Sequence, residues 1–244
     1  MENTRLTLST EHILTLGTTL QRMTTIKSEK NNQLKVTQKR GQKTYDALIK
    51  TGFRLLEEKN FNNISIAELS KKAGYSVGAF YTRFRSKDEF FDALMAKHLN
   101  DGKKNQDILY TNTSFEQLPD QLIKKMLNYY WNHRKFWQAA LTYATINPDF
   151  WTPVKKSGYK TSKRFIGRIN QEISRSLTEE EESNVFFALQ MVFGVINNTI
   201  LLQPGPIFMG QQLFTENLTR SFRLISNIDA YIALSKSKNA DRSY

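Results

Sequence analysis

Between Ser65 and Lys87 the chain sets small, hydroxylated and aromatic residues at helical spacing, a mixture suited to close contact with a surface and not to bond-making chemistry. With Val77 at zero on a helical wheel and about 100° per residue, Phe80 and Phe84 fall on one side and Thr82 opposite them. The aromatic side is expected to be core. Outward stand Gly78, Ala79 and Thr82, flanked by Tyr81 and Arg83. Such a layout suits a helix laid in a major groove: small residues let the backbone approach base edges, while hydroxyl and cationic groups reach phosphates. Residues 39–87 hold eleven cations against four carboxylates, a net +7. Among them Lys87 begins the next helix, where free N–H groups and the positive dipole end also favour phosphate. Taken singly, any of these cations is equally well read as solvated surface.

Other chemistries lack their residues. There is no cysteine, so no thiolate nucleophile, disulfide or thiolate metal site can form. His12, His98 and His133 share neither metal-ligand spacing nor a nucleophile-and-base motif. No catalytic residue, metal or cofactor is therefore expected, and the chain reads as no enzyme. Its 35 Lys+Arg against 23 Asp+Glu give a formal charge of +12, which attracts polyanions, whether nucleic acid or anionic membrane. The opening residues lack a secretory pattern and no run approaches about 18 apolar residues, so a soluble, cytoplasmic, nucleoid-associated protein without a membrane partner is expected.

The elements that must position these residues read as all-α, with about nine helices. Residues 1–38 are expected to be a flexible basic arm with a short helix around Glu11–Arg22. Residues 39–88 form an amino-terminal three-helix unit, 89–235 a second helical domain, and 236–244 a disordered tail. The first helix, about Lys39–Lys59, puts Tyr45, Leu48, Ile49, Phe53 and Leu56 on one face. Ser65 with Glu68, and Ser86 with Glu89, read as capping boxes, Ser76 as a cap, and Gly74 as a left-handed stop. A helix reaching about Gln106 follows, then five more at about 114–133, 135–146, 149–175, 179–202 and 211–234. Ser114 with Gln117 and Thr178 with Glu181 supply further starts.

The run from Ile64 through Glu89 resembles the helix-turn-helix of the tetracycline-repressor (TetR) family. Its landmarks are the Ile66-Ala67 pair, Ala73-Gly74 at the turn, Ser76-Val77-Gly78 opening the recognition helix, Tyr81 and Phe84 closing it, and Lys87-Asp88-Glu89 after it. Ser65 stands where the family usually has Thr, and Thr82-Arg83 where it often has aromatic and His residues. The resemblance covers about 50 residues. It implies a transcriptional regulator, most often a repressor, that binds a near-palindromic operator in double-stranded DNA as a homodimer. Tyr81 and Lys87 would hold phosphates, Ser65 and Ser76 would cap and lie near the backbone, and Val77, Gly78, Ala79, Thr82 and Arg83 would face DNA. Lys39, Arg40 and Lys43 belong to a basic lead-in that either follows a minor groove or is inert. A nucleoid-binding or division-linked architectural protein with the same fold is the rival reading.

Ten aromatics crowd between Tyr129 and Phe165. In the family the effector cavity lies in this domain, which points to Tyr130, Trp131, Trp137, Tyr143 and Trp151, with Phe187 and Met191, as walls of a pocket for a small, largely apolar or aromatic effector. Ordinary core packing explains any one of them equally well. The segment Val185–Leu202 is apolar nearly all round. By resemblance, the last two long helices pair across a two-fold axis, through Val185, Leu189, Val192, Phe193 and Ile196 on one and Phe214, Leu218, Phe222 and Ile225 on the other; a protomer core could use the same residues.

Overall fold

The structure, a computed structural model, describes residues 38–241. Expectations for the arm and its short helix, and for the last three residues, lie outside the described residues. Ten α-helices and two short 3₁₀ turns make up the described chain. They are α1 (residues 38–58), α2 (Ile66–Ala73), α3 (Val77–Tyr81), α4 (Lys87–Asn112), α5 (Leu118–Asn132), α6 (Arg134–Ile146), α7 (Thr152–Ile173), α8 (Glu179–Leu202), α9 (Gln212–Ser226) and α10 (Ile228–Asp241). The 3₁₀ turns are Phe61–Asn63 and Pro148–Trp151.

The starts are set by local capping bonds. Ser65 Oγ accepts from the Glu68 N–H at 3.1 Å, Ser76 Oγ from the Ala79 N–H at 3.2 Å and Ser86 Oγ from the Glu89 N–H at 3.0 Å. Gly74, at φ +81°, ends α2 in the left-handed conformation that lets α3 leave sharply. Among the described residues, only Thr178 and Glu181 close a full reciprocal box. The Glu68 carboxylate instead takes Lys59 at 2.8 Å and Lys72 at 3.5 Å, tying the end of α1 to α2. The Glu89 carboxylate accepts from the Arg85 N–H at 2.7 Å, one residue before the cap. Ser114 does not cap α5, which begins at Leu118 after a turn closed by Ser114 carbonyl bonds.

α1 and α4 meet where Gly52 removes a side chain: a Cβ there would lie 2.5 Å from Phe90 Cζ. Phe90 in turn contacts Phe80 and Phe84 at ring-centroid distances of 5.7 and 5.1 Å, so α3, too short to fold alone, is held by aromatic packing. A second aromatic seam joins this unit to the rest. Phe61 stacks on Phe91 at 4.0 Å, and Phe91 contacts Tyr143 at 5.1 Å and Phe150 at 4.8 Å. α4 runs through both halves, packing on α5 and α7 beyond the seam.

The expected single helix over 211–234 is two. Asn227 adopts φ +52° and ends α9, a conformation Asn tolerates better than most residues, and Arg223 bridges the break to Asp229. The tail expected from Lys236 is helical as far as Asp241, with Lys236 paired to Glu116 at 2.6 Å. α4 also runs past Gln106 to Asn112. By length and composition, α8 is apolar enough to cross a membrane, contrary to the sequence expectation. It packs instead against α5, α6, α7 and, most extensively, α9.

Candidate nucleic-acid interface

α3 presents its outer face as the wheel predicts. Phe80 and Phe84 are buried, while Val77, Gly78, Tyr81, Thr82 and Arg83 are exposed and Ala79 half-buried. Gly78 carries the clearest sign of an outside role. A Cβ there would meet only Ser76 Oγ, at 3.7 Å, so nothing in the protein's own packing demands glycine. Tyr81 is 53% exposed and leans edge-on against Phe80 at 5.5 Å, which fixes its ring while leaving its hydroxyl outward. Thr82 Oγ1 donates to the Gly78 carbonyl at 2.9 Å, orienting its methyl group.

Two expected contacts are engaged within the protein. Lys87 Nζ donates to the Asn62 carbonyl at 3.1 Å and lies 4.5 Å from the Phe61 ring centroid. Partial burial there pushes its pKa down. It marks the floor beside α3 instead of projecting freely. Arg83 lies over α1 at Gly41, where a Cβ would sit 2.4 Å from its Nη2. That packing, which no local sequence signal displays, couples the end of α3 to the start of α1.

Lys39, Arg40 and Lys43 are not part of an irregular arm: all three lie in the first described turns of α1 and are exposed. Of the other cations, Lys59 and Lys72 are taken up by Glu68 and Glu58. Lys50, Arg54, Lys71 and Arg85 are exposed and, like the α1 trio and Arg83, form no ion pair among the described residues. The net result is a small, polar reading surface framed by cations, the chemistry of phosphate positioning with direct base contact.

The aromatic cluster of the second half divides. Tyr130, Trp137 and Trp151 line a half-open cavity of about 900 Å³ bordered by α4, α5, α6, α7 and α8. Tyr130 stacks on Trp137 at 4.5 Å, and Trp137 meets Trp151 at 5.9 Å. Tyr143 instead belongs to the seam with Phe61, Phe91 and Phe150. Trp131 lines a separate small pocket of about 120 Å³ with Arg134 and Met209. Neither Phe187 nor Met191 reaches the large cavity; α8 turns Phe186, Gln190, Phe193 and Asn197 toward it. Phe193, expected at a dimer interface, is thus a cavity residue.

The rest of the expected interface is also placed differently. Val185, Leu189, Val192 and Ile196 of α8, with Leu218 and Phe222 of α9, are buried within the protomer, and Phe214 and Ile225 are half-buried. A helix apolar all round gives its wheel no preferred side, so the sequence could not choose. The large apolar side chains left exposed on these two helices include Phe187, 58% exposed, and Leu202 on α8, with Leu213 and Leu224 on α9.

Residues 48–94 match the family described as bacterial regulatory proteins, tetR family. Over 54 residues, 22% of this chain, the sequence is 41% identical to the uncharacterized HTH-type transcriptional regulator YwcC of Bacillus subtilis, spanning 24% of that protein's length. Over 179 residues, 71% of this chain and 83% of the relative, it is 24% identical to the probable HTH-type transcriptional regulator YttP of Bacillus subtilis. The fold is similar to that of a tetR-family transcriptional regulator from Streptomyces coelicolor, with a TM-score of 0.56 at 13% identity, covering 82% of this chain and 90% of that one. Motif, reading surface and helical architecture agree: over residues 48–94 the chain carries a helix-turn-helix matching the tetR family of bacterial regulatory proteins.

Proposed function

We propose that the protein is a homodimeric repressor that places two copies of α3 in major grooves of a near-palindromic operator and is released by a small effector bound in the 900 Å³ cavity. The observation that carries the DNA contact is Gly78, whose missing side chain opens only outward. Tyr81, Arg83 and the cations of α1 frame it for phosphate, with Lys87 exchanging its Asn62 carbonyl for a phosphate oxygen on docking. The apolar residues left exposed on the paired helices α8 and α9, Phe187, Leu202, Leu213 and Leu224, support a two-fold contact between protomers through these helices.

Release needs a physical link, and aromatic packing supplies one. His98 and Trp137 line the cavity; both contact Phe136, at 4.5 and 5.6 Å, and Phe136 contacts Phe53 of α1 at 5.4 Å. A ligand that shifts this stack tilts α1 and α4 under the reading heads, with coupling of about 1 to 3 kcal/mol typical of such devices. The cavity supports this regulator over a purely architectural role, which has no use for it.

Selection of genomic fragments by the purified protein tests the reading. A few near-palindromic sites are expected, and Lys87→Ala is expected to weaken binding to all of them while lowering the salt slope by about one. Tyr81→Phe, which removes a neutral contact, weakens binding without changing the slope. Unselective capture of fragments overturns the operator reading. Leu224→Glu is expected to yield monomers in sedimentation; an undisturbed dimer refutes the α8 and α9 face.

A further inference from the structure

The rim of the large cavity differs in chemistry from its interior. Six charged side chains line it, Lys103 of α4, Lys125 of α5 and Lys155, Lys156, Lys160 and Arg164 of α7, and all six are cations. The chain has 23 carboxylates, yet none lines this cavity. Arg164 is paired with Asp107 and lies over the Tyr110 ring. The five lysines are exposed and form no ion pair among the described residues. Inside, the walls are apolar: Leu122, Tyr130, Trp137, Trp151, Phe186 and Phe193.

Three lining residues also hold buried polar atoms with no hydrogen-bond partner among the described residues: His98 Nε2, Trp137 Nε1 and Asn197 Oδ1. His98 and Trp137 are 2% and 1% exposed, so these atoms lie behind the wall surface and the cations are what a ligand's polar head meets. A wholly apolar ligand would leave the lysine rim unanswered. A cationic ligand would meet five unpaired like charges. An acidic head at the rim with an apolar body behind it answers both the charge and the walls.

We propose that the cavity takes an anionic amphiphile, with a carboxylate or phosphate head held by the lysine rim and an apolar chain or ring body seated against Tyr130, Trp137 and Phe193. The proposal rests on the reading of this cavity as the effector site. Lys155, Lys156 and Lys160 supply the charge at the start of α7.

The test uses the full chain carrying Trp131→Phe, so that its tryptophan fluorescence comes from Trp137 and Trp151, both in the cavity wall. Dodecanoate, dodecyl phosphate, dodecanol and dodecyltrimethylammonium are titrated separately below their micellar concentrations. At least one anion is expected to bind ten times more tightly than dodecanol, and the ammonium compound not to bind. The stronger of the two anions identifies the head group. In a variant with Lys155→Gln, Lys156→Gln and Lys160→Gln, folded by circular dichroism, the advantage of the anion over dodecanol is expected to fall at least tenfold. Dodecanol binding as tightly as both anions, or an undiminished advantage in the variant, overturns the anionic head while leaving an apolar pocket. Failure of all four probes to bind overturns the effector cavity itself.

Discussion

One substitution, glycine to alanine, should have opposite effects at two positions in the DNA-binding half. At Gly52 the new Cβ would lie 2.5 Å from Phe90 Cζ and 3.2 Å from Leu94 Cδ2. Phe90 is 1% exposed and wedged against Phe80 and Phe84, so its ring has nowhere to retreat without moving α3. Overpacking of this kind costs about 1–3 kcal/mol, against which helix propensity returns about 1 kcal/mol. A net loss of up to about 2 kcal/mol is expected for Gly52→Ala. At Gly78 the Cβ would meet only Ser76 Oγ at 3.7 Å, so the propensity gain stands alone, about 0.4–1 kcal/mol. Urea unfolding of the parent and both variants measures this as midpoint shifts of opposite sign at constant slope. DNA affinity should move against stability at Gly78, falling at least tenfold, about 1.4 kcal/mol, because the methyl group stands where base edges approach. A Gly52→Ala protein stabilised as much as Gly78→Ala would refute the tight α1–α4 contact. Unchanged DNA affinity in Gly78→Ala would refute the close-approach role of α3.

Phe80→Ala removes the buried ring that anchors α3 and should cost about 3–5 kcal/mol in urea unfolding, with Phe80→Leu losing much less. Burial, with smaller contributions from His133 and Lys97, holds the His98 pKa down to about 3 from an ordinary 6.5. Above pH 6.5 the ring is neutral in both states; as pH falls below that, the unfolded chain takes up a proton the folded one refuses until about pH 3. His98 should therefore cost about 2 kcal/mol of stability between pH 7 and 5. His98→Phe should flatten the stability-against-pH curve in that window, and an unchanged slope would remove His98 as its source. Thr178→Ala breaks the box that starts α8 and should cost about 1 kcal/mol, read as a lowered thermal midpoint.

What the sequence by itself determined is what acts over a few residues. The caps at Ser65, Ser76, Ser86 and Thr178 and the left-handed stop at Gly74 each involve neighbours within one turn, so residue type and spacing are enough to read them. The same holds for α3, whose two phenylalanines must point one way and whose small residues must then point the other. Partner choice over longer distances belonged to the tertiary structure. Glu68 had a cap within reach, yet Lys59, across the turn, took its carboxylate. α8 carries apolar residues on every side, and only the packing of α7 and α9 against it settled that Val185, Leu189 and Val192 lie inside while Phe187 is left in water. The lysine rim draws on α4, α5 and α7, segments that local spacing cannot bring together. A capping bond is fixed by the few torsions between its ends, whereas a helix face or a cavity exists only once separate helices have closed around it.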